Sequence, residues 1–109
     1  MSHDVENERL NQAKKIVVHV DPVIKDLIPD FLNAMKQQVV LIEEALKKSD
    51  YEAAKTLGHR MRGCGSSYGF DPITDGGKAI EEAAGARDAH EIRKRLNEIF
   101  LYLRRVEIK

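Results

Sequence analysis

The chain has 109 residues, the size of one small domain, and its 18 Lys and Arg residues balance its 18 Asp and Glu residues. This balance and the absence of Trp argue against nucleic-acid binding, which usually needs a basic surface with aromatic side chains. A single cysteine excludes an internal disulfide, and no apolar run approaches the roughly 18 residues that span a bilayer. We therefore expect a soluble globular protein that binds neither nucleic acid nor membrane.

The N-terminal region is predicted to be an arm. Residues 1–15 are polar and weakly patterned, which favours a mobile arm, with a frayed helix as the alternative. Their acidic start does not fit a signal peptide, so we expect a cytoplasmic protein. Residues 16–20 are β-branched and apolar apart from His19, which favours an extended segment too isolated to make a sheet. We divide the chain into this arm, residues 1–20, and one helical domain, residues 21–109.

Helix signals follow in close succession. Asp21-Pro22 is typical of an N-cap followed by proline at the first helical position, and predicts a short helix to about residue 28. Pro29 is expected to start the next helix, because a proline inside a helix loses a hydrogen bond. In that helix apolar residues recur every three or four positions, at Phe31, Met35, Val39, Ile42 and Leu46. Ser49-Asp50 then supplies the N-cap of a helix over residues 51–68.

Two further helices complete the pattern. Asp71 is expected to cap a helix with Pro72 in its first turn and a thin apolar face that extends to Gly85. A last helix from about Asp88 carries apolar residues at steps of four and three, at Ile92, Leu96, Ile99, Leu103 and Val106. Short connections imply antiparallel neighbours. The sequence thus predicts an all-α, up-down antiparallel four-helix bundle with an extra short N-terminal helix and an extended N-terminal segment.

The helix over residues 51–68 has a polar face that stability does not explain. At about 100° per residue, His59, Arg62, Gly63 and Ser66 lie within about 60° of one direction. The opposite direction holds the residues expected in the core, which are Ala54, Leu57, Met61, Cys64, Gly65 and Tyr68. Glycine in an exposed helix costs about 1 kcal/mol relative to alanine. A missing side chain at Gly63, beside an exposed histidine, therefore indicates that something large must approach the imidazole.

These residue types suit phosphoryl transfer. A neutral imidazole nitrogen is a competent nucleophile near neutral pH. Arg62, one turn after His59, places a cation where an anion on the ring would lie, and the hydroxyl of Ser66 offers a hydrogen bond. An exposed helix face also lets a partner domain dock over the ring, so that the reacting centre is buried only in the complex.

The stretch His59-Arg-Met-Arg-Gly-Cys-Gly-Ser-Ser-Tyr-Gly69 resembles the signature of bacterial histidine phosphotransfer (Hpt) domains. That signature runs His, any residue, a large apolar residue, Lys, Gly, small residues and a second Gly ten positions after the His. Here Met61 takes the apolar place and Arg62 replaces the usual Lys. The resemblance covers roughly residues 21–106, and includes Leu27-Ile-Pro-Asp-Phe-Leu32, Ala45-Leu-Lys-Lys-Ser-Asp-Tyr51 and Ile80-Glu81.

The resemblance implies a phosphorelay intermediate with His59 as the phosphoacceptor. The phosphoryl group would come from a histidine kinase or a receiver domain and pass to the aspartate of a response-regulator receiver. No cofactor is expected, because the Mg²⁺ belongs to the receiver, and neither ATP binding nor turnover is expected of the chain, which we take to be a monomer. The residues expected to contact phosphate or partner are Arg62, Gly63, Ser66 and Glu81. Glu81 either orients the imidazole from the neighbouring helix or is a plain exposed acid.

Two other functions stay open. A helical adaptor could use the same face without phosphorylation, and Arg62 in the place of Lys leaves room for it. A metal-dependent enzyme would need clustered His and carboxylates that project inward, whereas the four histidines are dispersed. His3, His19 and His90 are therefore interpreted as structural or incidental. The Met start favours a stand-alone protein, although a fragment of a hybrid kinase would look similar.

Overall fold

The computed structural model describes residues 16–18, 20 and 22–108 of the chain. Four helices follow one another with connections of two or three residues, and they are α1 (Ile28–Lys47), α2 (Tyr51–Tyr68), α3 (Asp71–Gly85) and α4 (Ala89–Arg105). Each helix packs on the next, and α1 also packs on α4, so an antiparallel four-helix bundle closes around one core. The predicted fold class is confirmed. The predicted arm over residues 1–15 lies outside the described residues.

The core is built from the apolar faces that the sequence predicts. All five periodic apolar residues of α1 are buried, and α4 buries Ile92, Leu96, Ile99 and Leu103. In α2 the burial is thinner than predicted. Ala54 and Met61 are fully buried, whereas Leu57, Cys64 and Tyr68 are only partly buried against the core. The reason is that small residues occupy much of the inner side of α2, so the neighbouring helix approaches its backbone rather than large side chains.

The turn from α2 to α3 is held by glycine and by aromatic packing. Gly69 ends α2 in the left-handed conformation, with φ 77°, which glycine commonly adopts at the end of a helix. Phe70 is 1% exposed and its ring lies 5.2 Å from that of Phe31. The prediction that Asp71 caps α3 is wrong: Phe70 is the N-cap residue, and Asp71 is already helical. Because the Phe70 side chain is buried in the core, α3 begins one residue earlier than predicted.

The short N-terminal helix is a single 3-10 turn. Lys25–Leu27 forms this turn and leads directly into α1, which begins at Ile28. Pro29 lies in the first turn of α1, where its missing N–H costs nothing, as predicted. Asp21, the predicted cap of the short helix, lies outside the described residues.

Two short strands lie next to the bundle, and they correct two predictions. Strand β1 (Ile16–Val18) pairs in parallel with β2 (Val106–Ile108), Ile16 opposite Val106. The extended segment was predicted, but the expectation that it is too isolated to make a sheet is wrong. Val106 was placed on the last helix and instead has ψ 133°, because α4 ends at Arg105. Val106 still packs against the core, so its apolar character fits both positions.

Candidate functional site

Helix α2 presents His59 at mid-length between two well-defined ends. At its start, the Oδ1 atom of Asp50 accepts a hydrogen bond from the backbone N–H of Ala53 at 3.0 Å. At its end, the N–H of Gly69 bonds back to the last turn of the helix. A helix fixed at both ends holds the exposed residues between them at set angles, so the face that carries His59 has a defined direction.

That face is open to solvent, as the helical angles predict. His59, Arg62, Gly63 and Ser66 are all exposed, and the His59 side chain keeps 67% of its surface. A Cβ atom built on Gly63 meets no other atom within 4 Å, so this glycine is not required by packing inside the domain. The ring of His59 is thus accessible to a protein-sized partner, and no side chain covers the approach at Gly63.

Glu81 of α3 joins two of these residues. Its Oε2 atom lies 3.1 Å from Nδ1 of His59, and its Oε1 atom lies 3.4 Å from Nη1 of Arg62. The first distance is that of a hydrogen bond, whereas the second is long for one and describes a loose ion pair. The Glu81 side chain is only 22% exposed, so the carboxylate is better shielded from water than the two groups it contacts.

The hydrogen bond determines which nitrogen of His59 is available. An ionised carboxylate can only accept, so Nδ1 of a neutral ring must carry the proton and donate it to Glu81. The lone pair is then on Nε2, at the far side of the ring. This arrangement leaves the reactive nitrogen on the side of the ring away from its orienting carboxylate. The histidine of a serine protease triad is oriented in the same way, although there Nε2 acts as a base rather than as a nucleophile.

Ser66 is not part of this cluster. It lies seven residues after His59, which is about 10 Å along the helix axis. Ser67, the next residue, donates from its hydroxyl to the backbone oxygen of Gly63 at 3.0 Å. The structure therefore groups His59, Arg62 and Glu81, with Gly63 beside them, and leaves Ser66 two turns away on the same face.

The sequence analysis missed one residue close to the site. Gly77 of α3 is buried, and a Cβ atom built on it would lie 2.5 Å from the backbone N of Arg62. Gly58 and Gly65 of α2 are also buried, and a Cβ atom built on either would lie within 3 Å of α3. The signal for Gly77 was the Gly76-Gly77 pair inside a helix, because glycine is disfavoured there unless a neighbour approaches closely.

The described residues hold no cluster of three or more His, Cys, Asp or Glu side chains arranged around a metal. Within the same part of the chain, no helix has the length and apolar character that a membrane span requires. His90 is exposed near the start of α4, and His3 and His19 lie outside the described residues. Among the described residues, the cluster around His59 brings an exposed histidine together with a carboxylate and a guanidinium.

Fold and site together define a class: a four-helix bundle that carries one oriented histidine on an open helix face. The family model described as Hpt domain matches residues 26–106, which are 81 of the 109 residues. The chain belongs to the Hpt domain family. Hpt domains are phosphocarrier modules of phosphorelays without kinase activity of their own, and they interact with histidine kinases and response-regulator receivers. No curated protein matches the chain, and no solved structure does.

Proposed function

We propose that this chain carries a phosphoryl group on Nε2 of His59, between a histidine kinase or its receiver domain and the aspartate of a response-regulator receiver. The observation that supports this most directly is the hydrogen bond from Nδ1 of His59 to Glu81 on an otherwise open face. It leaves one ring nitrogen unprotonated and exposed. The site therefore offers an exposed nucleophile, as a carrier requires.

The transfer step requires only His59 and Glu81 from this chain. The lone pair on Nε2 attacks the phosphorus of an aspartyl phosphate, the N–P bond forms, and the P–O bond to the aspartate breaks to release a carboxylate. Positive charge develops on the ring as the lone pair is used. The carboxylate of Glu81, 3.1 Å from Nδ1, stabilises that charge in the transition state.

Arg62 and Gly63 are proposed to serve the phosphoryl group and the partner. The Arg62 guanidinium is half-exposed and only loosely paired to Glu81, so it is free to turn toward a phosphoryl group on Nε2. Gly63 leaves room for the receiver surface to approach the ring. Ser66, two turns on, is assigned a contact with the docked partner rather than with the unphosphorylated ring.

Phosphoryl transfer from a receiver tests this proposal. A receiver carrying labelled aspartyl phosphate is mixed with wild type, with His59→Gln and with His90→Gln, which removes another exposed helical histidine. We expect acid-labile, base-stable label on wild type and on His90→Gln but none on His59→Gln. Label that persists on His59→Gln would place the carrier elsewhere. Absence of label with several competent donors would favour the adaptor function.

Arg62→Lys is expected to shorten the lifetime of the phosphohistidine by about two- to fivefold, the range of an exposed charge contact. The planar guanidinium has several donors and can contact Glu81 and a phosphoryl group together, whereas the ammonium of lysine is a single compact charge. The measurement is the decay of label on the isolated chain, with transfer to a receiver followed in parallel. Equal lifetimes and equal transfer rates in the two proteins would show that Arg62, in the place of the usual Lys of the family signature, has no consequence for transfer.

We propose that the Mg²⁺ needed for transfer is held by the receiver and that the chain itself binds no cofactor. A chelator should then change the lifetime of the phosphohistidine on the isolated chain by less than about 1.5-fold, because no metal would contribute to the charge balance there. Addition of a receiver in the same buffer is the control, since transfer should stop without the metal. A chelator-sensitive lifetime of the isolated chain would contradict the proposal.

A carrier of this kind works where ATP-dependent kinases meet their receivers, so we also propose that the protein is cytoplasmic. We further propose that it acts as a monomer, which leaves the His59 face open. Sedimentation at the concentrations used for transfer measures the oligomeric state. A stable dimer that buries the His59 face would be incompatible with docking of a receiver on that face.

A further inference from the structure

Helices α2 and α3 approach each other most closely next to the site. A Cβ atom built on Gly58 would lie 2.9 Å from the backbone N of Glu81 and 3.0 Å from the carbonyl oxygen of Gly77. A Cβ atom built on Gly77 would lie 2.5 Å from the backbone N of Arg62 and 2.7 Å from the carbonyl oxygen of Gly58. Any side chain at either position would therefore push the two helix backbones apart.

These contacts involve the backbones of the residues that make up the site. Gly58 directly precedes His59 and lies against Glu81, whereas Gly77 lies one turn before Glu81 and against Arg62. The reach of the glutamate side chain has an upper limit, so the separation of the two backbones affects whether its carboxylate reaches Nδ1 of His59. The hydrogen bond of 3.1 Å has little slack, because bonds longer than about 3.2 Å weaken.

We propose that Gly58 and Gly77 are positioning residues that set the proton position on the His59 ring. Because they lack side chains, they hold α2 and α3 at the distance at which Glu81 accepts the Nδ1 proton, which leaves Nε2 free. This inference rests on the proposed function for its importance, since the free nitrogen is the proposed phosphoacceptor. The contact between α2 and α3 then determines which ring nitrogen is reactive.

Gly76 supplies a matched control. It precedes Gly77 on α3, but a Cβ atom built there would meet only the side chain of Ile99, at 2.6 Å, on the far side of the helix. Gly76→Ala therefore strains the contact between α3 and α4 and leaves the approach of α2 to α3 unchanged. If Gly58 and Gly77 served stability alone, all three alanine variants would differ only in their resistance to unfolding.

The test reads the ring itself, in the unphosphorylated chain. Two-bond ¹H–¹⁵N spectra of histidine-labelled protein distinguish a proton on Nδ1 from one on Nε2, and loss of a signal in His59→Gln assigns it. We expect Gly58→Ala and Gly77→Ala to shift the ratio of the two forms by about two- to tenfold toward a proton on Nε2, the effect of losing one hydrogen bond. Glu81→Ala should give the limiting shift. Gly76→Ala should leave the ratio at its wild-type value, and His90 is the internal reference.

Urea unfolding of each variant shows whether the domain is folded when the ring is read. Gly58→Ala requires the smaller movement of the two helices, since the closest contact of its added Cβ is 2.9 Å, compared with 2.5 Å for Gly77→Ala. Gly63→Ala, which meets no atom, can be added to restore helix stability if needed, with Gly63→Ala alone as reference. An unchanged ratio in folded Gly58→Ala and Gly77→Ala would overturn the inference. Failure of His59 to accept a phosphoryl group would overturn only the proposed function, because the ratio is measured without it.

Discussion

Replacement of Glu81 by alanine is expected to slow phosphoryl transfer to His59 by about 10- to 100-fold, the loss of one charge-assisted hydrogen bond in the transition state. Without the carboxylate, Nδ1 has no acceptor at 3.1 Å, and a proton on Nε2 blocks the lone pair in a fraction of the molecules. The positive charge that develops on the ring also loses its partner. The measurement is the initial rate of label transfer from a phosphorylated receiver at fixed concentration.

Glu81→Gln separates the two contributions of the carboxylate. Its amide oxygen can still accept the Nδ1 proton but carries no charge, so the rate should fall by only about three- to tenfold, as expected when a neutral hydrogen bond replaces a charged one. Glu82→Ala is the control, because Glu82 is exposed and adjacent on α3. Its rate should match wild type. If Glu81→Ala transferred at the wild-type rate, Glu81 would be the plain acid that the sequence allowed as an alternative.

Folding stability should hardly respond to Glu81→Ala. The His59 and Arg62 partners are exposed, and exposed ion pairs contribute about 0–1 kcal/mol to the free energy of unfolding. A large drop in rate with little change in unfolding therefore assigns Glu81 to the reaction rather than to the fold.

The parts of this site that lie within one helix could be predicted from the sequence. The period of about 3.6 residues fixes angles around α2, so the exposure of His59, Arg62 and Gly63 followed from their spacing alone. The ends of α2 also followed, because Asp50 and Gly69 each carry a local cap signal. Such signals depend on neighbours within a few residues, which is the range over which a single sequence is informative.

The contact between His59 and Glu81 could not be predicted in the same way. The two residues are 22 positions apart, and periodicity gives no relative rotation or height for α2 and α3. Those quantities are set by the close contacts at Gly58 and Gly77, which depend on both helices at once. The sequence therefore left Glu81 undecided between an orienting group and an exposed acid, and only the packed structure brings its carboxylate to the ring.

The end of the last helix shows a different limit. Val106 continues the apolar spacing of α4, and nothing in that spacing signals a stop. The chain becomes extended there and pairs with β1, about 90 residues earlier in the sequence (Ile16 opposite Val106). A tertiary contact thus overrides a local pattern, and an apolar residue satisfies either arrangement.

Gly63→Ala is expected to stabilise the domain by about 0.5–1 kcal/mol, the difference between glycine and alanine inside a helix. The added Cβ meets no atom within 4 Å, so no steric cost opposes the gain in helix propensity. Urea unfolding of wild type and variant measures this. A loss of stability would mean that the exposed glycine has a packing function inside the domain.

Gly63→Gln should combine an unimpaired fold with slower transfer, because its side chain occupies the open surface beside His59 where the partner must approach. We expect the rate of transfer from a receiver to fall by about tenfold or more, the cost of a steric clash in a docked interface. Gly85→Gln is the matched control: Gly85 is also exposed, its added Cβ also meets no atom within 4 Å, and it lies at the end of α3. Both variants should keep the fold, but only Gly63→Gln should lose transfer. Equal transfer rates in Gly63→Gln and Gly85→Gln would mean that docking does not need the space at Gly63. The proposed function would then not explain why α2 carries a destabilising glycine at this position.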